Sequence, residues 1–120
     1  MASKPSDELF QEGIALFNAG KFFECHEAWE QIWLRAEGAD KLFLQGMIQA
    51  AVAILHAQRG NLEGARTLRD KSLGKLDPLA VNYRGIALDE LRDALRGFFE
   101  VALRADRPPL PAPPKIRHPN

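Results

Sequence analysis

Lys41-Leu42-Phe43-Leu44-Gln45-Gly46-Met47-Ile48-Gln49-Ala50-Ala51-Val52-Ala53-Ile54-Leu55-His56-Ala57-Gln58-Arg59 is apolar nearly all the way round a helical wheel. Such a helix has no wide polar face to turn to water, so neighbours must pack on most of its sides. It reads as the central helix of an all-α domain. Its polar exceptions are Gln45, Gln49, His56 and Arg59, whose spacings of four, seven and three residues place them in one narrow stripe. That stripe is either the solvent face of the helix or the lining of a pocket against a neighbour.

Two helices are expected before this one. The first runs from about Ser6, a candidate N-cap followed by Asp7 and Glu8, to Ala19, with Gly20 as its stop. The second starts near Lys21, reaches about Ala36 and is ended by Gly38, with Asp40 placed to cap the central helix. The short connection makes the first two an antiparallel hairpin. After the central helix, Gly60-Asn61 supplies a stop and a new cap, and a fourth helix follows over about Leu62 to Leu76. An irregular link, residues 78–87, leads to a fifth helix over about Leu88 to Ala105. Gly20-x-Phe22-x-x-Cys25 is echoed forty residues later by Gly60-x-Leu62-x-x-Ala65, a spacing like that of tetratricopeptide hairpins. Two copies are too few for a solenoid, so the expected fold is a compact bundle of about five helices, built from two hairpins plus a closing helix. Gly13 and Gly46, in helix interiors where glycine is costly, mark places where helices approach closely.

The domain expected is residues 1–106. Residues 107–120 form a Pro-rich flexible tail, extended or disordered, because Arg107-Pro-Pro-Leu-Pro-Ala-Pro-Pro cannot be helical. Pro108-x-x-Pro111 and Pro111-x-x-Pro114 have the spacing that aromatic grooves read in a docking ligand, although a plain solvated tail fits the same composition. His118 lies in this tail.

Charge and composition narrow the function classes. The formal net charge of zero argues against nucleic acid as a partner, which needs a clear basic excess. The charges are unevenly placed: residues 1–64 carry minus four and residues 65–120 plus four. No apolar stretch spans a bilayer, the N-terminus from Met1 to Asp7 lacks the apolar segment of a secretory signal, and the single Cys25 makes no internal disulfide. The expected compartment is the cytoplasm. No phosphate-binding loop, dinucleotide fingerprint or nucleophile elbow is present, so any enzymatic activity would be metal-assisted, hydrolase-type or imidazole/carboxylate acid–base chemistry.

The chemistry is concentrated in His26-Glu27-Ala28-Trp29-Glu30-Gln31-Ile32-Trp33. On a helix His26 and Glu30 stack one turn apart, and Trp33 lies a further turn along the same side. This side overlaps the apolar arc of Phe22, Cys25, Trp29 and Ile32, so its polar groups need partners. Three kinds satisfy that need: a metal ion, a substrate or another side chain. Read as ligands to zinc, manganese or iron, His26 and Glu30 fall short of the three or more donors a site needs; Glu27 and His56 are the expected further ligands, with Glu24 and Glu12 as additional carboxylates. Trp33, Gln45, Gln49 and Arg59 are the expected pocket lining. By themselves Trp29 and Trp33 both read as core or hairpin-packing residues ahead of a ligand-stacking role, and Cys25 as a small buried residue.

Phe17-Asn18-x-Gly20-x-Phe22-Phe23-Glu24-x-His26-Glu27-x-Trp29-Glu30-x-x-Trp33, then Phe43-Leu44-Gln45-Gly46-x-Ile48-Gln49-Ala50-Ala51-Val52-Ala53 and His56-x-x-Arg59-Gly60-Asn61, closely resembles the domain-of-unknown-function 309 family. These are small all-helical proteins of bacteria and archaea. The resemblance covers about residues 8–77, and the family's His-x-x-x-Glu-x-x-Trp/Tyr signature falls on His26, Glu30 and Trp33. It implies a polar functional site there, for which metal binding has been suggested, and it implies no substrate or reaction. Two expectations of different class follow: a polar site between the second and third helices with a divalent metal as its occupant, or a non-enzymatic helical-hairpin interaction module whose polar cluster is structural. A homodimer is compatible with both.

Overall fold

Two glycine turns set the architecture. A computed structural model describes residues 4–119; Met1–Ser3, at the head of the N-terminal stretch considered above, and Asn120, at the end of the tail, lie outside the described residues. Helices α1 (Ser6–Asn18) and α2 (Phe22–Trp33) are joined through Gly20, and α3 (Gly38–Gln58) and α4 (Leu62–Leu76) through Gly60. The two glycines take φ of +78° and +79°, a left-handed conformation in which a side chain would be strained. After each, the next amide donates to a carbonyl five residues back, Lys21 to Leu16 and Asn61 to His56, both at 2.9 Å. The forty-residue echo is therefore a repeated turn, and at its last position Cys25 and Ala65 are both fully buried.

The turns make two antiparallel hairpins, and α3 packs against both α2 and α4. Its buried residues include Phe43, Leu44, Met47, Ala50, Ala51, Ala53 and Ile54, on more than one side of the helix, as its sequence demands. The glycines inside helices are contact points. A Cβ on Gly13 would fall within the indole of Trp29, and one on Gly46 would lie 2.9 Å from Leu76 Cδ2. At the same crossing the Ser72 hydroxyl donates to the Gly46 carbonyl at 2.7 Å. Helix α5 (Leu88–Ala102) closes the bundle through Leu91, Leu95, Phe98 and Phe99. Its buried Arg92 donates to the carbonyls of Leu76, Leu79 and Ala80 at 2.6, 2.9 and 3.4 Å, satisfying acceptors around the end of α4.

Some boundaries differ from those expected. Helix α2 ends at Trp33, and α3 begins at Gly38 itself, with φ +61°, so Gly38 opens the central helix where it was expected to close the second. Asp40 therefore lies inside the first turn of α3, and its carboxylate accepts from Arg84 at 2.8 Å. The first helix is entered through Pro5, without a side-chain cap from Ser6, whereas Asn61 caps α4 as expected, accepting from the Gly64 amide at 3.0 Å. The link contains a small antiparallel hairpin, β1 (Asn82–Tyr83) with β2 (Ile86–Ala87). Its turn places Arg84 at φ +48°, held by Asp40 and by the Phe10 ring 4.7 Å from its guanidinium carbon.

Residues 107–119 form neither helix nor strand, and the segment makes hydrogen bonds to the bundle. Asn18 donates to the Ile116 carbonyl at 2.9 Å and accepts from its amide at 2.7 Å, and the Ala87 amide donates to the Arg117 carbonyl at 2.8 Å. His118 is engaged through Nδ1 with the Gly85 carbonyl. Ile116 is only 4% exposed and belongs to the core cluster. Among the described residues no helix is long and apolar enough to cross a membrane.

Candidate functional site

The inner side of α2 carries Phe22, Cys25, Trp29 and Ile32 into the core, all essentially without exposure. Trp29 stacks with Phe10 and Phe17, and its indole N–H donates to the Phe10 carbonyl at 3.2 Å. Burial pushes the Cys25 thiol far above its ordinary range, so it is a protonated core residue and no nucleophile. The next residue faces the other way. His26, Glu30 and Trp33 line a cleft of about 190 Å³ between α2 and α3, closed on the other side by Gln45, Ile48 and Gln49.

His26 Nε2 lies 3.2 Å from Glu30 Oε2, the i,i+4 pairing that the sequence spacing predicts. Nδ1, the other ring nitrogen, is a lone pair in one neutral tautomer and a donor in the other or in the charged ring. In both states it lacks a partner: His26 Nδ1 and Trp33 Nε1 are the only buried side-chain nitrogen or oxygen atoms without a hydrogen bond among the described residues. Unpartnered buried polar atoms are uncommon in folded proteins and cost on the order of 1–3 kcal/mol each. Both belong to residues of the same small cleft.

The expected site residues separate. Gln45 and Gln49 meet His26, Glu30 and Trp33 in the cleft, so that part of the polar stripe is pocket lining. His56 and Arg59 are not among the lining residues. They share the stripe's angular position, but His56 is seven residues beyond Gln49, about 10 Å further along the axis. There it is drawn to the α3–α4 turn, with Nδ1 3.3 Å from Asn61 Nδ2; Arg59 is exposed at the C-cap of α3. Glu27 and Glu24 point to solvent, and Glu12 is paired with Lys4 at 3.0 Å. No three His, Cys, Asp or Glu side chains are grouped to hold a metal ion among the described residues. His26 and Glu30 alone do not fit a zinc site, which needs about three protein ligands.

Two cationic side chains that do not themselves line the cleft touch residues that do, from positions the sequence reading did not connect with it. Lys75 of α4 donates to Gln49 Oε1 at 3.0 Å, and Lys41 of α3 places Nζ 4.9 Å from the centroid of the Trp33 ring. Lys41 precedes Gln45 by one turn and was legible by spacing. Lys75 is brought in by the α3–α4 crossing at Gly46, and no local pattern announces it.

The fold and cleft define a class, a bundle of helical hairpins with a small polar cleft between its second and third helices. Residues 10–68 match the family model described as a domain of unknown function, DUF309. The match takes in the whole cleft lining and leaves Lys75 outside. An uncharacterized protein of Aquifex aeolicus (strain VF5) is 31% identical over 87 residues, which cover 71% of this chain and 26% of that protein. The uncharacterized protein YpuF of Bacillus subtilis (strain 168) is 33% identical over 82 residues, covering 66% of this chain and 47% of its own length. The chain thus spans about a quarter and about half of these curated relatives.

Proposed function

We propose that this chain is a binding domain for a small polar ligand, seated in the α2–α3 cleft between His26, Glu30 and Trp33 on one wall and Gln45 and Gln49 on the other. The observation that carries this reading is the pair of unpartnered buried atoms, His26 Nδ1 and Trp33 Nε1, on residues of one cleft. Elsewhere buried polar groups find partners within the protein: Ser72 has the Gly46 carbonyl, Arg92 three carbonyls and Trp29 the Phe10 carbonyl. A ligand able to bond the indole N–H and the imidazole would remove a cost that the folded chain otherwise bears. The cleft is smaller than the roughly 300 Å³ at which drug-sized pockets begin, which suits one functional group or a compact molecule. A divalent ion remains an occupant to test, with His26 and Glu30 as two ligands and the rest supplied by water or substrate.

Titration of the purified full chain with zinc, manganese, iron and a panel of small polar compounds, read by the two indole N–H resonances, tests the reading. The Trp33 signal should move saturably with at least one of them, while the Trp29 signal, held by Phe10, stays still. His26→Ala should abolish the response. A chain whose Trp33 signal follows none of them, or follows them equally after His26→Ala, is not a binding domain at this cleft.

A second reading, a helical-hairpin interaction module, is favoured by the repeated turns at Gly20 and Gly60 and by the exposed Phe23, Leu34 and Leu42 on α2, its C-cap and α3. It predicts that Phe23→Ser with Leu42→Ser abolishes capture of a stable protein partner and leaves the Trp33 titrations unchanged.

A further inference from the structure

Donors and positive charge gather on one set of residues in and beside the cleft: Trp33, Gln49, Lys75 and Lys41. Lys75 approaches Gln49 with an ammonium, which can only donate, so the side-chain oxygen of Gln49 faces Lys75 and its NH₂ group is left for other partners. The indole N–H of Trp33 is unbonded. Two ammonium groups back the wall residues, Lys75 on Gln49 and Lys41 over Trp33, and neither is paired with a carboxylate among the described residues. Lys75 has only a second, long contact to the Lys71 carbonyl at 3.5 Å. The one acid of the lining, Glu30, is already engaged by His26.

We propose that the ligand of this cleft carries an oxyanion, a carboxylate or a phosphate group, which accepts from Trp33 Nε1 and the Gln49 NH₂ and is neutralised by Lys75 and Lys41. The proposal rests on the reading of the cleft as a binding site and specifies the chemistry of its occupant. Its physical basis is the match between an acceptor-only group and the donors of Trp33 and Gln49 beside the charges of Lys75 and Lys41, with the Gln45 amide able to donate or accept. The His26–Glu30 pair, on the same wall as Trp33, takes the non-anionic part of the molecule, such as a hydroxyl or amide. The ammonium groups also explain how Trp33 is positioned, since Lys41 over its ring holds the indole at the cleft wall.

The experiment uses the full ¹⁵N-labelled chain at constant ionic strength in chloride, with acetate, inorganic phosphate and neutral acetamide as three separate probes. Trp33→Phe assigns the indole signals, and Trp29 serves as the internal reference. The proposal expects a saturable shift of the Trp33 indole N–H with acetate, phosphate or both, the better one naming the source of the anionic group. Lys75→Gln should weaken that binding by about tenfold or more, the loss of one charge-assisted contact, and Lys41→Gln should weaken it as well. Both variants should keep the Trp29 indole at its native position, which certifies the fold; if Lys75→Gln fails this check, Lys41→Gln alone decides. A shift with acetamide and with neither anion overturns the anionic class and leaves the cleft reading standing. No shift with any of the three, despite a shift with another polar compound or a metal, has the same effect, whereas silence toward every probe removes both. A linear, non-saturating shift that persists in both lysine variants marks an adventitious ion only and overturns the proposal.

Discussion

The two faces of α2 carry neighbouring residues of one octapeptide and treat polar atoms in opposite ways. On the inner face, Trp29 is wholly buried and its N–H is bonded to the Phe10 carbonyl. On the outer face, one turn away, Trp33 is half-buried and its N–H has no partner. Cys25 and His26 repeat the contrast: the first is an inert core thiol, the second an imidazole with one nitrogen on Glu30 and the other unbonded. The inner face is finished as structure. The outer face leaves polar groups in the places where a packed interface would have paired them, and that difference is why the outer face is read as a binding site.

The comparison can be broken at several points. Trp29→Ala should give the largest effect, a loss of about 3–5 kcal/mol from transfer and cavity formation, measured by urea unfolding of the full chain. A loss below about 1 kcal/mol would mean that the inner face is not the core it is described as. Gly13→Ala, whose new methyl collides with the Trp29 indole, should cost about 1–3 kcal/mol through overpacking; unaltered stability would show that the indole moves freely.

Cys25 gives the pH test. Folding holds the thiol protonated above its ordinary range, so the native state binds more protons than the unfolded chain once the pH passes about 8.5, and stability falls as pH rises from there. The slope from this group approaches about 1.4 kcal/mol per pH unit, and Cys25→Ala should flatten it in urea unfolding between pH 8 and 10. An equal slope in the variant would place the alkaline loss elsewhere.

Trp33→Phe has the smallest expected effect and the most informative sign. It deletes an unpartnered N–H, so stability should stay unchanged or rise by up to about 1 kcal/mol. A clear loss would mean that the indole N–H is as well satisfied as that of Trp29, and the contrast between the two faces would disappear.

Much of the frame was legible. The all-round apolar pattern of Leu42 to Leu55 placed α3 at the centre, Gly20 and Gly60 marked two similar turns, and Gly13 and Gly46 marked close approaches that the structure assigns to Trp29 and Leu76. The site was legible by halves. The spacing of His26 and Glu30 predicts their pairing, and Gln45 and Gln49, expected as pocket lining, lie along the same cleft. His56 and Arg59 were included because a helical wheel projects away the axis; a residue can share an angle with Gln49 and still lie about two turns further along the helix. The hairpin at residues 82–87 escaped because its left-handed turn begins with Arg84, a residue that rarely takes positive φ and is retained here by Asp40 and Phe10. Ile116 escaped because a single apolar residue among prolines has no periodicity to betray its burial.

Sequence alone determined which segments are helical, which faces are apolar and where the chain turns, because these follow from local periodicity and from the backbone freedom of a few glycines. Tertiary structure decided what stands beside what: Lys75 beside Gln49, Arg92 at the end of α4, Asn18 on Ile116, and the absence of any partner for His26 Nδ1 and Trp33 Nε1. Those pairings depend on how far one helix slides and rotates against another, and crossings such as that of Gly46 with Leu76 fix that register through packing between distant residues.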